Sequence, residues 1–147
     1  GDDACSGVSY LNLVEFIKAQ CADAKTDLEQ LFRRVLFSVC VSNTDDHLRN
    51  HGFLYLKTGW TLAPAFDINA NETGSGLKLN IDENDNSLDI DLVMSTAGFY
   101  LLSEKQAQKI KTEVLNAVSN WRNTATKYKI SPSEIARKAP AFRLVQN

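Results

Sequence analysis

Apolar residues at Tyr10, Leu11, Leu13, Val14 and Ile17 recur with a loose helical period, which predicts a short first helix between Ser9 and Cys21. A stronger pattern follows. Leu28, Leu31, Phe32, Val35, Leu36, Val39 and Cys40 keep the i, i+3, i+4, i+7 spacing over about four turns, the signature of a helix with a buried face. Leu28 to Val41 is therefore expected to be the most buried helix of the chain. Thr26, with Glu29 three residues on, has the form of a capping box opening it. The run Ser42-Asn43-Thr44-Asp45-Asp46 ends it, because short polar side chains bond their own backbone in competition with helical hydrogen bonds.

Phe53 to Leu56 and Trp60 to Ala63 are rich in aromatic and aliphatic residues. Lys57-Thr58-Gly59 joins them, a spacing that fits a hairpin with Gly59 in a left-handed conformation. Leu77-Lys78-Leu79-Asn80-Ile81 alternates apolar and polar and is expected to be a further brief strand between turn-rich loops. Asp89 can cap a helix running toward Ala97, with Gly98 ending it. Ser103 and Gln106 form a second capping box, opening one long amphipathic helix that carries Ile110, Val114, Leu115, Val118, Trp121 and Tyr128. Ser131-Pro132-Ser133-Glu134 starts a last helix, which Pro140 ends. The pattern is that of one mainly α (α+β) domain over residues 1–147, mostly helical with a small β-hairpin near its middle.

Composition narrows the class of function. The chain has 147 residues, 44% of them hydrophobic and with a net charge of −2, the balance of an ordinary globular domain rather than of a nucleic-acid binder with a basic surplus. No direct nucleic-acid binding is expected. No run approaches the ~18 apolar residues of a membrane span, and the expected location is cytoplasmic. Cys5, Cys21 and Cys40 are odd in number and form no C-x-x-C pair, so they read as reduced thiols. The chain begins at Gly1 rather than Met and is read as a piece of a longer protein.

The chemistry concentrates in the loop after the buried helix, Asn43-Thr44-Asp45-Asp46-His47-Leu48-Arg49-Asn50. Asp45 and Asn50 reproduce the D-x-x-x-x-N half of a protein-kinase catalytic loop, in which the carboxylate accepts the hydroxyl proton and the amide oxygen serves magnesium. Asp46 is out of register, since His51 lies five positions on; Asn at 46 is accordingly expected to be a mild change beside Asn at 45. A second magnesium ligand would arrive as an aspartate after a hairpin, and Asp67 in Leu62-Ala63-Pro64-Ala65-Phe66-Asp67-Ile68 stands there. A lone Asp-Asp pair reads more simply as a helix-ending turn. The joint order of Asp45, Asn50 and Asp67 outweighs that reading.

Together, the loop Asn43 to Asn50 and the segment Trp60 to Ile68 resemble the C-terminal domain of HipA-type serine/threonine kinases, the toxins of bacterial toxin–antitoxin pairs, whose motifs run T-D-x-H-x-x-N and P-x-x-D-I. The resemblance extends from about Leu28 through the Trp121 helix. It implies the helical C-lobe of a kinase-like fold, with Asp45 as catalytic base, Asn50 and Asp67 coordinating magnesium, and His47 against the transferring phosphate, where most protein kinases carry a lysine. The implied cofactors are Mg2+ and ATP, and the implied partners a protein substrate in the translation machinery and a small DNA-binding antitoxin.

There are departures from a whole kinase. The chain has no phosphate-binding glycine loop with a following strand, no strand lysine and no nucleotide-binding N-lobe before Ser9. The fragment alone is expected to be inactive, its parent an ATP-dependent kinase. Two rivals remain: a non-catalytic interaction module derived from such a lobe, and a metal-dependent hydrolase, which would need a second ligand set about 4 Å from the first. His47 and His51 at i, i+4 lack a third zinc ligand, and Asp82-Asn84-Asn86 lacks the glycine and glutamate of a calcium loop. Trp60 and Trp121 are expected to pack, and Arg33-Arg34 to lie on a solvated helix face.

Overall fold

A computed structural model describes residues 7–145. Among them the chain forms six α-helices and one two-stranded antiparallel sheet in the order α1 (Tyr10–Gln20), α2 (Ala24–Cys40), β1 (Phe53–Leu56), β2 (Gly59–Leu62), α3 (Ile90–Ser95), α4 (Glu104–Ser119), α5 (Trp121–Lys127) and α6 (Pro132–Lys138). The expected α+β class with a single small hairpin is the one observed. Cys5 lies outside the described residues. Burial pushes the Cys40 thiol up to about 11, and burial followed by the neighbouring Asp27 does the same to Cys21.

Helix α2 is the central element. Leu28, Leu31, Phe32, Val35, Leu36, Val39 and Cys40 are all fully buried, packed between α1, α4 and the turn around Tyr100. It begins one turn earlier than the Thr26–Glu29 box predicts. Asp23 is the N-cap, accepting from the Thr26 N–H (3.2 Å) and from the Thr26 hydroxyl (2.8 Å). The Thr26 N–H that the box would give to the Glu29 side chain goes to Asp23 instead, and this carboxylate cap sets the helix start.

The buried side of α2 also carries charge, which the apolar period does not reveal. Asp27 accepts from the Leu62 N–H (3.1 Å) and from the Thr61 hydroxyl (3.3 Å), fastening β2 to the helix. Arg34 is not on a solvated face: it is buried and donates from Nη2 to the Ala63 carbonyl. Arg33 alone reaches the surface, pairing with Glu113 (2.8 Å).

The hairpin turn is one residue tighter than expected, because Gly59 pairs with Leu56 as the first residue of β2. Its φ of +122° is a conformation only glycine adopts without strain. Trp60 packs against Phe16 and Tyr55, and Trp121 stacks on Phe142.

Three further boundaries differ from the sequence pattern. Leu77, Leu79 and Ile81 are buried, as their alternation predicts, but the segment forms single bridges, Gly76 to Ser87 and Ser9 to Asn80, rather than a strand. Alternation reports burial on one side, and a strand additionally needs a neighbouring backbone to ladder with. Gly98 does not stop a helix: α3 ends at Ser95, a 3-10 turn spans Ala97–Tyr100, and Leu101 takes the left-handed conformation (φ 57°). The long C-terminal helix is broken at Asn120, whose side chain accepts from Asn123 Nδ2 (2.7 Å), so Trp121 starts a separate α5 and Tyr128 is exposed. The Ser103 and Ser131 capping boxes are both formed.

Candidate functional site

The loop that leaves α2 is shaped by its own backbone and pinned by distant groups. Val41 caps the helix, Ser42 turns left-handed (φ 56°), and the Asn43 N–H returns to the Ser38 carbonyl (2.8 Å). The buried Ser42 hydroxyl donates to the Ala141 carbonyl (2.7 Å), and Asn71 Nδ2 donates to the Thr44 hydroxyl (3.0 Å). The loop therefore enters the site on a fixed path.

Its two aspartates then part. Asp46 turns inward and is 4% exposed, accepting the Tyr10 hydroxyl at 2.6 Å and facing His51 Nε2 at 3.0 Å from both carboxylate oxygens. The Tyr10 phenol is pushed well up, first by burial and then by the charge of Asp46. Asp45 turns outward, its side chain 61% exposed, and pairs with Lys78 Nζ at 2.6 Å. The hydrogen bond from Lys78, and then its charge, hold the Asp45 carboxyl below the usual carboxylate value. The carboxylate of Asp45 is thus ionised and reachable from solvent, as a proton acceptor must be.

A 3-10 turn over Leu48–Asn50 brings Asn50 back under the loop. Asn50 Oδ1 accepts from the His47 N–H (3.0 Å), and its Nδ2 donates to Asp67 Oδ2 (2.7 Å). Asp67 itself sits at φ 55°, a left-handed conformation that Asp and Asn tolerate better than most residues. Its other oxygen accepts from Asn69 Nδ2 (3.1 Å). Asn69 in turn uses its N–H on Asn43 Oδ1 (3.4 Å), closing a path from the Asp67 segment back to the loop after α2.

Of the four residues singled out from sequence, Asn50 and Asp67 are brought into direct contact. Asp45 makes no hydrogen bond to either and instead reaches Lys78. His47 is half-buried beside them, its Nδ1 buried without a hydrogen-bond partner among the described residues. Asn50 and Asp67 are of the donor types magnesium takes, a carboxylate and an amide oxygen, and this ion is commonly held by one or two carboxylates plus phosphate and water. Here the two side chains meet through the Asn50 Nδ2, and the Asn50 Oδ1 accepts from the His47 N–H, so the amide would have to turn to present its oxygen to an ion beside Asp67.

Residues that position the site were not marked by any sequence motif. Tyr10 and His51 hold Asp46, and Arg34 holds the carbonyl of Ala63 at the start of the segment leading to Asp67. Burial pulls the Arg34 guanidinium below its ordinary value, and the charges of Asp46 and Asp27 oppose that. A polar residue at a buried helical position is a detectable signal only once the buried face is known.

The family model for the HipA-like C-terminal domain matches residues 2–122. The chain belongs to the HipA-like C-terminal domain family. The match takes in α1 and ends just inside α5, so the first helix is part of the family's domain. A protein of Haemophilus influenzae (strain ATCC 51907 / DSM 11121 / KW20 / Rd) described as "Putative kinase" is 34% identical over 68 residues, a stretch that covers 46% of this chain and 20% of that relative. The chain thus spans about a fifth of the length of the relative it matches. Among the described residues, no helix of this HipA-like domain is long and apolar enough to cross a membrane.

Proposed function

We propose that this HipA-like domain is the catalytic C-lobe of a protein serine/threonine kinase, which transfers the γ-phosphate of ATP to a protein hydroxyl and works as the toxin of a toxin–antitoxin pair in the cytoplasm. The observation that carries this reading is the 2.7 Å contact between Asn50 and Asp67, from two separate elements, with Asp45 five residues before Asn50 on the same loop.

In this reading Asn50 and Asp67 hold a magnesium–phosphate group, and the ion when bound neutralises charge on the phosphates. Asp45 accepts the proton of the attacking hydroxyl, and its ionised, outward carboxylate is available for that at neutral pH. His47 would lie against the transferring phosphate. Phosphoryl transfer is mostly a matter of positioning and electrostatics, so the loop's anchors matter as much as its reactive groups. The ATP-binding N-lobe would come from elsewhere in the parent protein, and the antitoxin would be its inhibitory protein partner.

The test uses the full-length protein. Magnesium–ATP titration by calorimetry should show nucleotide-dependent binding; metal binding alone would favour a hydrolase, and neither an interaction module. Asp45→Asn should lower turnover on the order of 100- to 10,000-fold, the usual cost of losing a positioned general base, while melting with the wild type. Asp67→Asn, which keeps the left-handed backbone comfortable, should cost at least as much. Unchanged turnover in both variants would end the kinase reading.

A further inference from the structure

Lys78 is the cation that touches the candidate base, and it does not come from the catalytic loop. Its backbone is fixed on both sides by buried neighbours, Leu77 and Leu79. The Leu77 N–H donates to the Asn86 carbonyl (2.8 Å) and the Asn80 N–H to the Val8 carbonyl (3.0 Å), so the segment carrying Lys78 is tied at both ends. The same segment lies hard against the catalytic loop at Gly74. A Cβ there would stand 3.2 Å from both Cγ2 and Oγ1 of Thr44, and Gly74 has φ +111°. Only glycine allows this approach without strain.

Between the two segments lies a cavity of about 560 Å³ whose walls include Thr44, Gly74, Ser75, Lys78 and Asn86. Thr44 and Ser75 bring hydroxyls and Asn86 an amide to its lining, beside Gly76 and Leu77. Lys78 stands at its edge with Nζ 2.6 Å from Asp45 Oδ1. An ammonium has three donors, and no second protein acceptor engages Lys78 among the described residues. By the resemblance, His47, the loop residue two after Asp45, stands at the position where most protein kinases carry a lysine.

We propose that Lys78 is a catalytic residue of this site, an ammonium that bridges the Asp45 carboxylate and the phosphoryl group in transit to a Ser or Thr hydroxyl seated in the cavity between Thr44 and Gly74–Lys78. The proposal rests on the kinase reading above. The acceptor oxygen bonds to the γ-phosphorus as the bond from that phosphorus to the bridging oxygen breaks. ADP leaves with the electron pair, and the hydroxyl proton passes to Asp45. Lys78 stays protonated throughout. One N–H keeps the carboxylate aimed at the acceptor, and the others meet the charge on the phosphoryl oxygens, where a preorganised donor has its largest effect.

The experiment measures phosphate transfer from radiolabelled ATP with magnesium to a mixture of Ser- and Thr-containing peptides by the full-length protein. The variants are Lys78→Met, Lys78→Arg and Asp45→Asn, with melting curves on each. Lys78→Met should lower kcat by roughly 100-fold, the scale for losing one preorganised donor to a developing charge. Its KM for ATP should change little and its melting temperature not at all, since Lys78 is 43% exposed. Lys78→Arg should recover most of the rate. The acid limb of the pH–rate profile should move to higher pH in Lys78→Met, because the Asp45 carboxyl loses the partner that holds it low.

Wild-type kcat in Lys78→Met, with Asp45→Asn inactive, would overturn the role of Lys78 and leave the kinase reading standing. A slow Lys78→Met with an unmoved acid limb and no rescue by arginine would overturn it equally, as a structural effect only. Wild-type turnover in Asp45→Asn would remove the reading of the site itself, and the Lys78 role with it.

Discussion

Replacing Asp46 separates anchoring from chemistry in the candidate loop. From sequence alone, Asn at 46 is a mild change beside Asn at 45, because position 46 is one residue off the D-x-x-x-x-N spacing. The structure gives the two carboxylates different places: Asp45 faces solvent and Lys78, whereas Asp46 is buried between Tyr10 and His51. Asp46→Ala strips the acceptor from a buried Tyr10 hydroxyl and from the buried ring of His51. Leaving a buried polar group unpaired costs about 1–3 kcal/mol each, so the loss should be about 3 kcal/mol or somewhat more. For a chain of this size that corresponds to a fall in melting temperature of about 6–12 °C. Asp46→Asn should lose less, about 1 kcal/mol, because its amide oxygen can still accept from Tyr10. Thermal unfolding followed by circular dichroism gives both numbers, and Tyr10→Phe combined with each closes a double-mutant cycle. An Asp46→Ala protein melting within about 2 °C of the wild type, or a cycle with no coupling between positions 10 and 46, would refute the anchoring role.

Three other outcomes follow from the packing. Burial raises the folded-state pKa of both Tyr10 and Tyr100, so each contributes stability that is fully present below the ordinary tyrosine value of 10.0 and is lost as pH rises above it; melting temperature should fall steeply above about pH 10, less so in Tyr100→Phe, and a flat profile there would contradict the burial of both phenols. Asp27→Ala should cost about 1–3 kcal/mol by leaving the buried Leu62 N–H without its acceptor, with hydrogen exchange in the hairpin accelerating before that of α4; uniform acceleration would mean the hairpin is not held through Asp27. Cys40, fully buried with its thiol pushed up to about 11, should resist a thiol reagent at pH 8 until the protein unfolds, and rapid native labelling would show α2 less well covered than described.

Much of the fold follows from spacing along the chain. The i, i+3, i+4, i+7 period of α2 dictates its buried face because helix geometry puts those side chains on one side whatever lies opposite. The Ser103 and Ser131 caps are local in the same sense: donor and acceptor are three residues apart. The meeting of Asn50 with Asp67 follows likewise from a short 3-10 turn and a tight hairpin, whereas Asp45 reaches Lys78 and neither of them. The start of α2 misled because two acceptors compete for one Thr26, and the winning Asp23 carboxylate lies outside the predicted box. The Leu77 to Ile81 segment misled because its alternation records burial without any partner strand.

Neighbours in sequence were decided by partners far away. The spacing to Asn50 singles out Asp45 over Asp46, but nothing local says which of the two is buried; Tyr10, 36 residues before Asp46, meets one, and Lys78 meets the other. The buried charges of α2 are of the same kind, because Asp27 and Arg34 find their partners there at the Leu62 and Ala63 strand end, far along the chain. Patterns of apolar residues encode burial, which is additive and short-ranged along an element. Pairing of polar groups depends on which loops cross, and an unpaired group in a dry site is costly enough that the tertiary structure, not the local sequence, settles which carboxylate is buried as an anchor of the loop and which faces solvent.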